Sequence, residues 1–194
     1  MKLLIFAGST RAQSFNRRLA KVAAGLARQA GAEVTLLELA SLDVPLYNAD
    51  LEALGTPADV MRLKEILFEH PAWIICSPEY NGSYTALLKN TLDWASSPVQ
   101  ADPNWQQGNK SFQGLLSAST GALGGLRSLM QLTPMLLSLQ CWVAPQRFAL
   151  SQAGSAFDAN GGLLLEQQRA GVESVVKQVL WAAERLSPPT TTVK

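Results

Sequence analysis

The sequence predicts a doubly wound α/β fold, a three-layer sandwich with one parallel sheet between two layers of helices. Three features predict it: short apolar runs of strand length, intervening segments with apolar residues at helical spacing, and a regular alternation of the two. Strands that alternate with helices are joined by βαβ crossovers, which need parallel neighbours covered on both faces.

The first strand, Leu3 to Ala7, is uninterrupted apolar sequence, as burial on both faces demands. Leu19, Val22, Ala23, Leu26, Ala27 and Ala30 then recur at the i, i+3, i+4, i+7, i+8, i+11 spacing of one helical face, and Gly31 stops that helix. Further strands are expected at Glu33 to Leu39, Ala72 to Cys76 and Gly114 to Ala118, with a weaker one at Trp142 to Ala149. Helices are expected at Asp59 to Phe68, Ala86 to Ala95 and Leu123 to Leu137, where Pro134 marks a kink or reset. A last helix runs to Leu186, with Val172, Val175, Val176, Val179 and Ala183 on one face. Five strands with five helices in 194 residues suit the strand order 2-1-3-4-5 better than a six-strand dinucleotide fold.

The reading is of one domain, residues 1–186. Ser96 to Asn109 and Ser151 to Gly162 are rich in Pro, Asn, Gln and Gly and read as loops, and the tail Ser187 to Lys194 is expected to be disordered.

With 47% hydrophobic residues the chain can bury one sizeable core. Its 16 Lys+Arg balance 15 Asp+Glu to a net charge of +1, with no long block of either sign, which argues against nucleic acid or a membrane surface as partner. The apolar run at the amino terminus is too short for a signal peptide, and no stretch approaches the roughly 20 apolar residues of a membrane span. A cytoplasmic protein is expected. Cys76 and Cys141 lie in apolar surroundings without CxxC or metal-ligand spacing and read as buried packing residues.

In an open parallel sheet, ligands bind beyond the carboxyl ends of the strands. Three loops leave strands at that edge. Gly8 to Asn16, GSTRAQSFN, combines the free amides of a helix start with hydroxyls of Ser9, Thr10 and Ser14 and the charge of Arg11. It lacks the Gly-Lys-Ser/Thr ending of a triphosphate loop, and it is not GxGxxG, so it suits a terminal monophosphate. The competing reading is that Ser14 only caps the helix and Gly8 only permits the turn.

The second loop, in SPEYNGSYTALLKNTLDW (Ser77 to Trp94), has Pro78 at its exit and the turn pair Asn81-Gly82, both tolerant of positive φ. Such a turn presents backbone groups, which suit the edge of a flat heteroaromatic ring, with Tyr80 available to stack. An ordinary βα turn with Thr85 near the helix cap is the alternative. The third, SASTGALGGLRS (Ser117 to Ser128), carries Gly121, Gly124 and Gly125, which let a backbone approach a ligand closely.

Together GSTRAQSFNRRLA, PEYNGSYTALLKNTLDW and STGALGGLR resemble, in order and spacing, the three motifs of the NAD(P)H-dependent FMN reductase family, the flavodoxin-like group that includes chromate, quinone and azo-dye reductases. The resemblance covers Met1 to about Leu186. It implies that Ser9, Arg11, Ser14 and Asn16 surround the FMN phosphate. It implies that Pro78, Glu79, Tyr80, Asn81 and Gly82 border the ribityl chain and isoalloxazine, with Ser119, Gly121 and Gly124 on the adjoining loop. NADPH or NADH is the implied donor, a quinone, azo compound, chromate or free flavin the implied small-molecule acceptor, and a homodimer or homotetramer the implied assembly. Many relatives have a proline near Thr85, and its absence leaves the start of that helix less rigidly set.

His70, the one histidine, stands ahead of the third strand, at the edge opposite the loops, and reads as structural. Glu79 reads as a hydrogen-bond acceptor rather than a general acid. Lys89, Asn90, Asp93 and Trp94 read as packing and subunit-contact residues. No metal-ligand cluster or Ser/His/Asp set is visible, and flavin chemistry explains that scarcity because the cofactor itself carries the hydride. Two other readings stay open: a flavodoxin-type electron carrier, disfavoured by near-neutral charge, and a flavin-binding regulator.

Overall fold

The computed structural model describes residues 1–97 and 111–186. The tail and nearly all of the loop expected at Ser96 to Asn109 lie outside them. The elements are β1 Lys2–Ala7, α1 Phe15–Gln29, β2 Glu33–Leu37, α2 Ala49–Leu54, α3 Ala58–Phe68, β3 Ala72–Cys76, α4 Ala86–Ser96, β4 Phe112–Ala118, α5 Leu126–Ser138, β5 Trp142–Leu150 and α6 Glu166–Leu186. The strands form one sheet in the order β2-β1-β3-β4-β5, and every pairing is parallel.

Alternation along the strands sorts side chains between two cores. Leu3, Ile5, Ile74 and Cys76 face α1 and α6, where Leu19, Ala23, Val172 and Val176 meet them. Leu4, Phe6, Trp73 and Ile75 face α3, α4 and α5, packing on Leu63, Leu88, Leu92 and Leu129. Each fully buried side chain of this size contributes about 1.5–3 kcal/mol. The sheet therefore holds all its carboxyl ends along one edge, where β1, β3 and β4 release the three loops.

Three boundaries lie two or more residues from the sequence expectation and one helix was not expected, each for a physical reason. The second strand ends at Leu37, because Leu39–Ser41 turn into a short 3₁₀ segment. β4 begins at Phe112, whose ring lies 5.8 Å from that of Trp142; the polar Gln113 hides this start in the sequence, yet it is wholly buried. α5 begins at Leu126, since Gly124 and Gly125 hold φ of 60° and 87°, outside the helical range. α2 has no apolar stripe to reveal it and is instead started by Asn48, whose Oδ1 accepts the Asp50 and Leu51 amides at 2.8 and 3.4 Å. Pro134 sits inside one continuous helix.

His70 lies at the opposite edge, with Nδ1 2.6 Å from the Ile66 carbonyl and Nε2 2.8 Å from Thr35 Oγ1. Both ring nitrogens are thus engaged in tying α3 to β2. Cys76 and Cys141 are both buried. Among the described residues no helix is long and apolar enough to cross a membrane.

Candidate active site

The loops after β1, β3 and β4 enclose a cleft of about 210 Å³. It is lined by Ser9, Arg11, Ser14 and Asn16 from the first, Pro78, Glu79 and Tyr80 from the second, and Ser119 from the third, all expected from sequence. Phe15, Ala118 and Thr120 line it as well and were not anticipated.

The phosphate-type end is built by α1. Ser14 is its N-cap, with extended φ/ψ of −69° and 127°, and its Oγ accepts the Arg17 amide at 3.4 Å. The Arg18 amide goes to the Ser14 carbonyl at 3.1 Å. Among the described residues this leaves the amides of Phe15 and Asn16 without a protein acceptor, at the positive end of the helix dipole. α1 carries no acidic residue in its first turn. Hydroxyls, two open amides and a guanidinium form a donor set that fits a phosphate.

Asn16 does more than line the cleft. Its Nδ2 donates to the Ala118 carbonyl at 2.8 Å, and its Oδ1 accepts the Ala118 amide at 2.9 Å, so a side chain on the first loop pairs with backbone on the third. Thr10 faces away, into a separate cavity of about 270 Å³ beside Leu39, Leu42 and Leu87. Its hydroxyl therefore does not join those of Ser9 and Ser14.

The second loop is set by two joints. Asn81 and Gly82 take φ of 52° and 78°, and the turn is closed by paired bonds between Tyr80 and Ser83 at 2.9 and 3.0 Å. Neither Asn81 nor Gly82 lines the cleft; they shape the turn that aims Pro78, Glu79 and Tyr80 at it. Thr85 caps α4 by accepting the Leu88 amide at 3.2 Å and donates to the Gly8 carbonyl at 2.8 Å. The helix start, expected to be less rigidly set, is fixed by this hydroxyl.

The third loop departs most from expectation. Gly121 and Gly124 stay off the cleft wall. A Cβ on Gly124 would meet the Leu150 carbonyl carbon and Ser151 nitrogen at 2.6 Å, so its missing side chain admits the exit of β5 rather than a ligand. Arg127, within the glycine-rich motif but not singled out from sequence, pairs with Glu79. An arginine beside a helix start gives no such signal until the fold sets it opposite a carboxylate.

A larger groove, about 720 Å³, lies on the outer flank of α1 between Lys21, Gly25, Asn160 and Arg169. Size favours it, yet position favours the smaller cleft, because ligands of such sheets sit where the strand order reverses, between β1 and β3. Within the cleft Glu79 is engaged by Arg127, while His70 is at the far edge. Cys76 is fully buried, which pushes its thiol pKa up. Among the described residues no group of side chains could hold a metal ion. Among the described residues the carboxylate that lines the cleft is thus engaged, neither histidine nor cysteine lines it, and the Tyr80 phenol stands at its rim.

A doubly wound sheet with anion donors at one end of its switch-point cleft and a peptide-rich wall at the other defines a flavin- or nucleotide-binding α/β protein. The chain belongs to the NADPH-dependent FMN reductase family, whose pattern matches residues 1–155. It is 33% identical over 183 residues to an NAD(P)H-dependent FMN reductase of Pseudomonas aeruginosa, covering 93% of this chain and 95% of that one. It is 30% identical over 165 residues to a quinone reductase of Pseudomonas putida, covering 82% of each. Its structure is similar to FerB, a flavoenzyme NAD(P)H:(acceptor) oxidoreductase of Paracoccus denitrificans, with a TM-score of 0.78, 29% identity and coverage of 93% and 97%. It is an FMN-dependent oxidoreductase that draws electrons from NAD(P)H.

Proposed function

We propose that FMN occupies the cleft between the three loops and that the electron acceptor is a quinone. One observation carries the first half: among the described residues the only carboxylate lining the cleft is held by Arg127, so its side chains can position a redox group but cannot replace one. FMN supplies the capacity to take up and release a hydride. Ser9, Arg11, Ser14 and the amides of Phe15 and Asn16 bind its phosphate. Pro78, Glu79 and Tyr80, on the turn shaped by Asn81 and Gly82, border the ribityl chain and ring, with Ser119 on the adjoining loop that Gly121 and Gly124 shape. Tyr80, 56% exposed at the rim, is placed to stack on what enters.

The acceptor half is supported by relatives named quinone reductases in Pseudomonas putida and Escherichia coli, 30% and 32% identical. The overall change is NAD(P)H plus a proton plus quinone giving NAD(P)⁺ and hydroquinone. The test is to add NADPH anaerobically to the yellow holoprotein and then titrate benzoquinone. Bleaching, followed by full recovery of colour at one quinone per flavin, is expected. No bleaching would favour a carrier or regulator; bleaching without recovery would remove the quinone.

The same reading includes a cytoplasmic homodimer or pair of dimers. Leu126, Met130 and Leu137 present an exposed apolar stripe along α5, 40–57% accessible, with the exposed Leu123 just ahead of the helix. By contrast, Trp94, expected among the packing and subunit-contact residues, is buried, its indole N–H bonded to the Pro45 carbonyl at 2.8 Å. Light scattering of wild type and Met130→Glu tests this: a monomeric, fully active wild type overturns it.

A further inference from the structure

Phe157 comes from the segment between β5 and α6, outside the three loops of the cleft, and nothing in its sequence surroundings marks it. Its ring lies nearly parallel to that of Phe15, 9° between planes and 6.4 Å between centroids, an offset stack. Phe15 lines the cleft, and the Arg11 guanidinium carbon lies 5.7 Å from the Phe15 ring centroid. On the outer side the Arg18 guanidinium sits 4.3 Å over Phe157. The four side chains form one column, Arg11–Phe15–Phe157–Arg18, that starts inside the cleft and ends outside it.

The column is anchored at its outer end. Phe157 forms an isolated antiparallel bridge with Leu163, and Asp158 closes the small loop between them by accepting the Asn160 and Gly162 amides at 2.7 and 2.9 Å. Arg18 also donates to the Asp158 carbonyl at 3.5 Å. By contrast Arg11 is exposed, and no ion pair or side-chain hydrogen bond holds its guanidinium among the described residues. A free arginine loses several rotamers on meeting a ligand, and that cost falls when the guanidinium already rests on a ring. The face of Phe15 provides that rest, and Phe157 fixes where the face points.

We infer that Phe157 is a positioning residue for the flavin phosphate: through Phe15 it holds the Arg11 guanidinium over the phosphate end of the cleft. It thereby sets how strongly the protein prefers FMN to the unphosphorylated flavin. The inference rests on the assignment of Arg11 to the phosphate. Phe157 touches neither ligand nor reacting atoms, so its effect appears only in the charge-dependent part of binding.

The experiment compares affinities of FMN and riboflavin for apoprotein of wild type, Phe157→Ala, Phe157→Leu, Arg11→Ala and the Phe157→Leu/Arg11→Ala double variant. Removing the stack should weaken FMN binding about two- to fivefold, the scale of an exposed cation–ring contact, and leave riboflavin affinity unchanged. Phe157→Leu keeps apolar volume without a ring face, so it should show the same loss of preference even if Phe157→Ala folds poorly. In the Arg11→Ala background the Phe157→Leu change should have no further effect on FMN, because the two act through one contact. Equal weakening of both flavins would mark Phe157 as merely structural and overturn the inference, as would unchanged FMN affinity or additive losses in the double variant. If Arg11→Ala itself leaves the preference intact, the phosphate assignment fails; if Arg11→Ala abolishes it and the Phe157 variants do not, only the positioning role fails.

Discussion

Glu79 and Arg127 are joined across the mouth of the cleft: the Glu79 carboxylate accepts the Arg127 main-chain amide at 3.1 Å and its Nε at 2.5 Å, and the terminal guanidinium nitrogen completes the pair. The loop after β3 is thereby fastened to the start of α5. We propose that a carboxylate so engaged serves as an anchor rather than as a proton donor. In anaerobic stopped-flow at saturating NADPH, Glu79→Gln and Tyr80→Phe should each bleach the flavin within about tenfold of wild type, whereas a lost general acid typically costs about 10²- to 10⁴-fold. Arg127 is 61% exposed, so Arg127→Ala should weaken FMN binding only about two- to fivefold, in line with exposed ion pairs of about 0.2–1 kcal/mol. A thousandfold slower reduction in Glu79→Gln that still binds FMN would overturn the assignment.

Arg11 and Ser14 should divide the two flavins. Hydrogen bonds to charged groups contribute about 1.5–3 kcal/mol, so Arg11→Ala and Ser14→Ala should each weaken FMN by tenfold or more and scarcely change riboflavin. Ser14 is also the cap of α1, and its loss should cost the apoprotein about 1 kcal/mol in denaturant unfolding, a penalty Arg11→Ala should not share. Fluorescence titration of both flavins checks the first claim.

Neither cysteine should react while the chain is folded. Burial raises the Cys141 thiol to about 11 and pushes Cys76 higher still, so at pH 8 almost none of either is thiolate. An aromatic disulfide reagent should label none in native protein within minutes and both in 6 M guanidinium, a strongly denaturing concentration. Fast native labelling at either position would mean that the core opens there.

Gly125 is irreplaceable for two separable reasons. Its φ is 87°, and an added Cβ would fall 1.9 Å from Ser117 Oγ. Gly125→Ala should therefore destabilise by more than about 2 kcal/mol, the combined scale of left-handed backbone strain and overpacking. Adding Ser117→Gly removes the clash but not the strain, so the double variant should recover part of the loss and remain about 1 kcal/mol below wild type. Full recovery would show that the backbone there relaxes freely.

The sheet was legible because its strands are apolar on both faces, as with Leu3 to Ala7, and the helices because stripes such as Val172 to Ala183 repeat without interruption. Where local composition and tertiary role disagree, the reading slipped. Gln113 looks like loop yet is buried in β4, its amide donating to Ser111 Oγ and Cys141 Sγ at 3.0 and 3.1 Å. In the cleft, the hydroxyls and Arg11 could be read because a helix start imposes their chemistry. Thr10, one residue along, points elsewhere, and Gly124 answers to β5. Arg127 and Phe157 were out of reach, for their meaning lies in partners 48 and 142 positions distant, Glu79 and Phe15.

The paired bonds between Asn16 and Ala118 imitate one rung of a sheet, with an amide side chain in place of a strand. In the proposed arrangement the floor beneath the cofactor is therefore a single suture between the phosphate end of the cleft and the end that borders the ring. The tie joins loops that leave two different strands, β1 and β4, so displacing either loop must stretch or break it. A flavin bound between these loops would meet a tie already made, which lowers the entropy that binding has to remove.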